Sequence, residues 1–324
     1  IGSTRDIAPG EQEAYYCIMS LSVWEPLISA DNDGNIQPCL ATSWESNEDA
    51  TEWTFHLRDD VAFHDGEPFN ADAVLANLDR HKIASGMSSI QYAYNFDNTY
   101  PNFVKAEKVD DYTVKMTFSE SYPMLVENMV NYGSPMYSPK NFNEDGSFNG
   151  LAQGTGAYKL SEHQADEYIL LTRNEDYYGE KAHVKNIRIK VIPDAATKVS
   201  AMDAEEIMGV TDLGAIFPAG AEKLLADGEE RFAVTDAKAL VTHYAIFNGS
   251  KEPFNDVRVR QAVSMAINRE EIVNDLYAGF GGVPTVNILN FSSPYAKDFE
   301  VTYDVEKAKE LIKEALGDKE YTID

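Results

Sequence analysis

Glu52-Trp-Thr-Phe-His-Leu-Arg58 and, after two aspartates, Val61-Ala-Phe-His-Asp-Gly-Glu-Pro-Phe-Asn-Ala-Asp-Ala-Val74 decide the fold class. In the first stretch Trp53, Phe55 and Leu57 alternate with Thr54 and His56, the period-two pattern of a half-buried strand. Asp65-Gly66-Glu67-Pro68 then supplies the residues of a turn. Asn70 follows as a helix cap, with Val74, Leu75 and Leu78 forming the apolar side of the helix it opens. A strand that turns directly into a helix predicts a mixed α/β chain.

The flanking sequence extends that reading. Glu13 to Leu27 predicts a short helix that runs into the turn Asp31–Gly34, and Ser85 to Phe103 a long loop with a short helix. Tyr112 to Phe118 alternates as a second strand, and Met124 to Asn131 suits a helix. Tyr158–Leu160 and Tyr168–Thr172 make a β-hairpin, followed by a strand at Ile187–Ile192 and a helix from about Ala196 to Glu206. Helices at Val257–Ile267 and Arg269–Leu276 close on Gly279–Gly282. Asp304 to Leu316 is amphipathic, with Val305, Ala308, Leu311, Ile312 and Ala315 on one side.

Composition bounds the function. The 324 residues exceed one ordinary core, so two domains are expected. Fifty-four acids against 27 bases leave a net charge of −27, which disfavours nucleic acid and anionic membrane surfaces as partners. No run of about 18 apolar residues occurs, so no membrane span is expected. The chain opens at Ile1-Gly-Ser-Thr, so any targeting segment is absent or removed. Cys17 and Cys39 are read as two buried free thiols, which act as small hydrophobes.

The residues give no catalytic constellation. His56, His64, His81, His163, His183 and His243 include no pair at zinc-binding spacing. His64-Asp65, which stands before Gly66, reads as part of a turn. Gly154-Thr-Gly156 lacks the third glycine of a dinucleotide fingerprint, and Gly279–Gly282 lacks the lysine of a phosphate loop. No nucleophile elbow exists, and Asp31–Gly34 does not complete a calcium loop. The expectation is no enzyme, no cofactor and no resident metal.

A series of signatures stands in order along the chain. Leu40-Ala-Thr-Ser-Trp-Glu45 precedes the two stretches quoted above. Gly154-Thr-Gly-Ala-Tyr-Lys-Leu160, Arg173-Asn-Glu-Asp-Tyr-Tyr-Gly179, Phe254–Arg269 and Tyr303–Leu311 follow them. Together they resemble the family 5 extracellular solute-binding proteins of bacterial ABC importers. Most of these motifs are scaffold: Trp44 and Trp53 anchor a core, and Arg258 and Arg260 reach nearby carboxylates.

The resemblance implies a two-lobed, type II binding-protein fold closing on a ligand by a hinge. It implies lobe one at 1–247 with an inserted subdomain at about 46–152, and a partial lobe two at 248–324. The crossing falls near Asn248, after a strand such as Tyr244–Phe247. It also implies that the chain stops inside lobe two, without the return strand. Cleft-facing loops correspond to Glu11–Met19, Gln91–Tyr100 and Tyr132–Tyr137. The candidate ligand-binding residues are Tyr15, Tyr16, Cys17, Met19, Tyr92, Tyr94, Phe96, Tyr132, Met136 and Asn248.

The expected role is a monomeric receptor that captures a short peptide and delivers it to the importer's permease subunits. Its place would be outside the cytoplasmic membrane, in the periplasm or as an anchored lipoprotein. A nickel chelate is the alternative ligand. Against it, the arginine that holds such a chelate in nickel-type members falls near Pro135 here, and the methionine near Cys17. A non-transport interaction or sensor module is the second alternative.

Overall fold

The computed structural model describes residues 18, 20–31, 34–85, 96–130, 135–210, 216, 218–226, 231–233, 245–280, 282–283, 302–319 and 321. The chain divides into two compact units. The first is Ile1–Thr197 with Gly209–Ala215, and the second is Lys198–Met208 with Ile216–Asp324.

The first unit is built on three antiparallel sheets. β1 (Ile28–Ala30) pairs with β2 (Ile36–Pro38). β3 (Ala41–Ser46), β4 (Glu52–Leu57), β5 (Phe103–Asp110) and β6 (Thr113–Phe118) form a sheet in the order β3-β4-β6-β5. β7 (Tyr158–Gln164), β8 (Tyr168–Arg173) and β9 (Asn186–Lys190) form the third, in chain order. Alternation along β4 buries Trp53, Phe55 and Leu57 and leaves Glu52, Thr54 and His56 half-covered. Each such fully buried apolar side chain contributes roughly 1.5–3 kcal/mol.

The helix Ala71–Ala84 lays Val74 and Leu78 into the same core as β4 and β6. Its cap is the expected one, with Ala73 N–H donating to Asn70 Oδ1 at 3.0 Å. Asn77, fully buried on this helix, ties it to a neighbouring segment. Its Nδ2 donates to the carbonyls of Ala73 (2.9 Å) and Tyr137 (2.8 Å), and its Oδ1 accepts from Tyr137 N–H (2.9 Å). A second core gathers Ile18, Val23, Trp24, Tyr137, Leu160, Ile169 and Leu171 over the β7-β8-β9 sheet.

In the second unit the helices Val257–Ala266 and Val305–Leu316 pack together through Val259, Ala262 and Ala308. Asp256 and Asp304 cap them, accepting from Arg258 N–H (2.9 Å) and Lys307 N–H (2.8 Å). Arg258 also pairs with the Asp256 carboxylate, whereas Arg260 donates to the Phe254 carbonyl.

Three expectations need correction, and one strand stands where none was expected. Ile18 and Ser20 are helical, but from Leu21 the chain turns, so no helix runs to Leu27. Ser22 takes a positive φ of 54°, which ends a helix, and Ile28 already belongs to β1. The segment read as a loop with a short helix carries that helix at Phe96–Thr99 and gives way at Phe103 to β5, a strand the sequence reading lacked because its exposed residues hide the alternation. Ala245–Phe247 carries no regular structure and Ile246 is exposed, while Tyr244 lies outside the described residues. The segment after Arg269 is a short α-turn at Arg269–Glu271, followed by a π-helical turn at Ile272–Leu276.

Candidate functional site

A cavity of about 490 Å³ opens in the first unit, its wall including Trp24, Glu25, Cys39, Arg58, Tyr177 and Tyr178. The sequence Val23-Trp-Glu-Pro-Leu-Ile28 sets one carboxylate inside an apolar run. Glu25 is 6% exposed, so its charge has to be met by hydrogen bonds. Thr155 Oγ1 donates to Glu25 Oε2 at 2.8 Å, and the Tyr177 hydroxyl donates to Oε1 at 2.7 Å. The Glu25 backbone carbonyl accepts from Met136 N–H at 2.8 Å.

Burial and, second to it, this carboxylate shape the electrostatics of the wall. Burial, reinforced by the Glu25 charge, pushes the Tyr177 phenol up to about 12, so it stays a proton donor. Burial and then the same charge push the Cys39 thiol up to about 12, leaving it a neutral thiol. Cys39 is free and only half-buried. Tyr178 is raised for the same two reasons. Arg58 lies 4.4 Å from the centre of the Tyr178 ring, a cation–π distance, and forks onto Asp60 at 2.9 and 2.7 Å.

The segment Gly154-Thr-Gly156 delivers Thr155 to Glu25. A Cβ on Gly154 would stand 2.1 Å from the Val23 carbonyl oxygen, and one on Gly156 would stand 2.0 Å from that of Ser22. Both glycines are therefore required by close backbone approach to residues 22–24. Tyr158 N–H donates to the Ser22 carbonyl at 3.1 Å and the Trp24 indole to the Ala152 carbonyl at 2.9 Å, which locks the two segments together. His64 sits against the same glycines. Its Nε2 is 3.0 Å from the Gly156 carbonyl, and Gly154 N–H donates to its Nδ1 at 3.3 Å. Burial lowers its pKa to about 4.

Of the candidate residues, Tyr15, Tyr16, Cys17, Met19, Tyr92, Tyr94 and Tyr132 lie outside the described residues. Phe96 and Met136 are buried in the first core, and neither lines the cavity. Phe96 meets the Tyr100 ring at a tilt, 4.8 Å between centres, and the Phe103 ring edge-on at 5.3 Å. Asn248 is exposed in the second unit, where its side chain accepts from the N–H (3.1 Å) and hydroxyl (2.7 Å) of Ser250. The residues that sequence reasoning passed over are Glu25, Tyr177, Tyr178 and Thr155. The signal for Glu25 was an acid flanked by Trp24 and Pro26 in an otherwise apolar run; the other three stood in motifs read only as scaffold.

Known proteins match this chain along most of its length. The model for bacterial extracellular solute-binding proteins, family 5, middle, matches residues 35–322. The nickel-binding periplasmic protein of Escherichia coli (strain K12) is 32% identical over 314 residues, with 90% of this chain and 55% of that protein covered. The dipeptide-binding protein of the same organism is 29% identical over 311 residues, with 89% and 56% covered. The chain thus spans about half the length of the curated relatives it matches. NikA from Brucella suis in complex with Fe(III)-EDTA superposes with a TM-score of 0.77 at 27% identity, over 91% of this chain and 58% of that one. DppA from Helicobacter pylori in complex with the peptide STSA gives 0.75 at 26%, over 97% and 64%. The mixed α/β fold is that of type II periplasmic binding proteins, of which this chain carries part. By sequence and by fold, the chain belongs to the family 5 bacterial extracellular solute-binding proteins.

Proposed function

We propose that this protein is the ligand-capturing receptor of a bacterial ABC importer, acting outside the cytoplasmic membrane, and that its cargo is a short peptide. One observation carries the choice of cargo: the Glu25 carboxylate, buried in a cavity wall with Trp24, Tyr177 and Tyr178. Each Glu25 oxygen accepts one hydrogen bond from the protein and keeps a lone pair for a ligand donor. An ammonium or amide N–H of a peptide suits that acceptor, and the aromatic faces suit its apolar side chains. The tyrosine-bearing segments at 15–16, 92–94 and 132 are proposed as further ligand contacts, on the family resemblance alone. Among the described residues no helix is long and apolar enough to cross a membrane.

Calorimetric titration of the protein with di- and tripeptides, and with Ni(II)-histidine, tests this reading. Glu25→Gln is expected to weaken peptide binding about 10- to 100-fold, the loss of one charge-assisted hydrogen bond at ~1.4 kcal/mol per tenfold. Heat from Ni(II)-histidine with none from any peptide would transfer the assignment to the nickel-chelate reading. That reading draws on the 32% identity to the Escherichia coli nickel-binding protein. Among the described residues no three His, Cys, Asp or Glu side chains group to hold a metal. Silence from every ligand, with a protein partner still bound, would favour the interaction-module reading.

A further inference from the structure

We propose that His64 is a positioning residue for the cavity: its neutral imidazole grips the backbone on both sides of Thr155, and Thr155 in turn fixes the Glu25 carboxylate. Two ring hydrogen bonds make the grip, beside one from the His64 main chain that any residue at this position would keep. The His64 main-chain N–H donates to the Gly154 carbonyl at 2.8 Å, while on the ring Gly154 N–H donates to Nδ1 at 3.3 Å and Nε2–H donates to the Gly156 carbonyl at 3.0 Å. Only one tautomer, protonated at Nε2 and bare at Nδ1, satisfies both ring contacts. Between the two gripped glycines stands Thr155, 1% exposed, whose hydroxyl proton goes to Glu25 Oε2.

The other supports on the C-terminal side of Thr155 are Gly156 N–H, which donates to the Val23 carbonyl at 3.3 Å, and Tyr158 N–H, which donates to that of Ser22 at 3.1 Å. Asn174 Nδ2 shares the Gly156 carbonyl at 3.1 Å but makes no contact with Gly154. Neither glycine can carry a side chain to brace the loop, because residues 22–24 fill that space. The imidazole therefore does what a side chain within the loop cannot. A second proton on Nδ1 would face the Gly154 N–H donor to donor and release the grip. Of the charged groups that act on the ring, Lys159 opposes that proton and Asp65 favours it, while burial dominates both. The inference rests on Glu25 being the cavity's anchor, but its test reads no ligand and so fails independently of the peptide assignment.

The test uses the full chain with ¹³C-labelled glutamate carboxyls, the Glu25 resonance being assigned by its absence in Glu25→Gln. Thr155→Val defines the displacement caused by losing the hydroxyl donor. His64→Ala is expected to move the Glu25 resonance in the same direction, and the double variant no further than Thr155→Val alone. His64→Asn keeps an acceptor at the Nδ1 position and His64→Gln a donor at the Nε2 position. Each is expected to restore part of the wild-type shift, and these two carry the test if His64→Ala fails to fold. An unmoved Glu25 resonance in all folded His64 variants, or displacements that add in the double variant, would overturn the proposal.

Discussion

Acidification from pH 7 to 4 is expected to cost the first unit about 3 kcal/mol at His64 and a similar amount at His81. Burial holds His64 down at about 4 and, with the neighbouring Arg80 charge second, His81 at about 3; both stand near 6.5 when exposed. The sign follows from which state binds the proton first. Above about pH 6.5 both rings are neutral, folded or unfolded, and the contribution is fully present. As the pH falls below 6.5 the unfolded chain takes up protons that the folded chain refuses, and stability drops by ~1.4 kcal/mol per pH unit for each ring. The loss at His64 is nearly complete by pH 4, and that at His81 continues to about 3. Urea unfolding at pH 7, 6, 5 and 4 measures it. His64→Gln should remove one proton's worth of slope between 6 and 4.5, and an unchanged slope would mean that His64 binds a proton as readily in the fold as out of it.

The other large effect is expected from Gly156→Ala. The added Cβ would meet the Ser22 carbonyl oxygen at 2.0 Å and its carbon at 2.6 Å, both backbone atoms that no rotamer change can move aside. Tyr158 N–H is bound to the same carbonyl, so a shift of Ser22 also disturbs the start of β7. A loss of about 3 kcal/mol or more is expected, equivalent to a fall in Tm of roughly 5–10 °C. Gly209→Ala is the control, since nothing lies within 4 Å of its added Cβ and its φ is unrestrictive. Equal melting temperatures for the two variants would show that residues 22–24 yield to the new methyl group.

The scaffold was legible in the sequence wherever a side-chain period met a turn or cap signal. Trp53, Phe55 and Leu57 announce β4 by alternation, Asn70 announces its helix by cap chemistry, and Val305, Ala308, Leu311 and Ile312 announce theirs by helical spacing. β5 escaped because it is an exposed edge strand, carrying Val104 and Val109 outward with register shifts at both ends. Such a strand has no buried face to imprint a pattern. The site was far less legible, because Thr155 and Tyr177 stand 130 and 152 residues from the Glu25 carboxylate they bind. Periodicity speaks only about neighbours within a few residues. His64 and the two glycines show the same limit: read locally they are a turn residue and an incomplete glycine motif, and only the close approach of residues 22–24 gives the glycines another meaning.

Trp24 has a use beyond packing. Its indole borders the cavity, hydrogen-bonds to Ala152 and meets the Tyr137 ring edge-on at 5.4 Å, whereas Trp44 and Trp53 belong to the other core. One of the protein's three tryptophans is thus placed beside the chamber, with Tyr177 and Tyr178 in the same wall as energy donors. The chamber carries its own fluorophore, and unlabelled compound libraries can be screened by the colour of its emission before any cargo has been named.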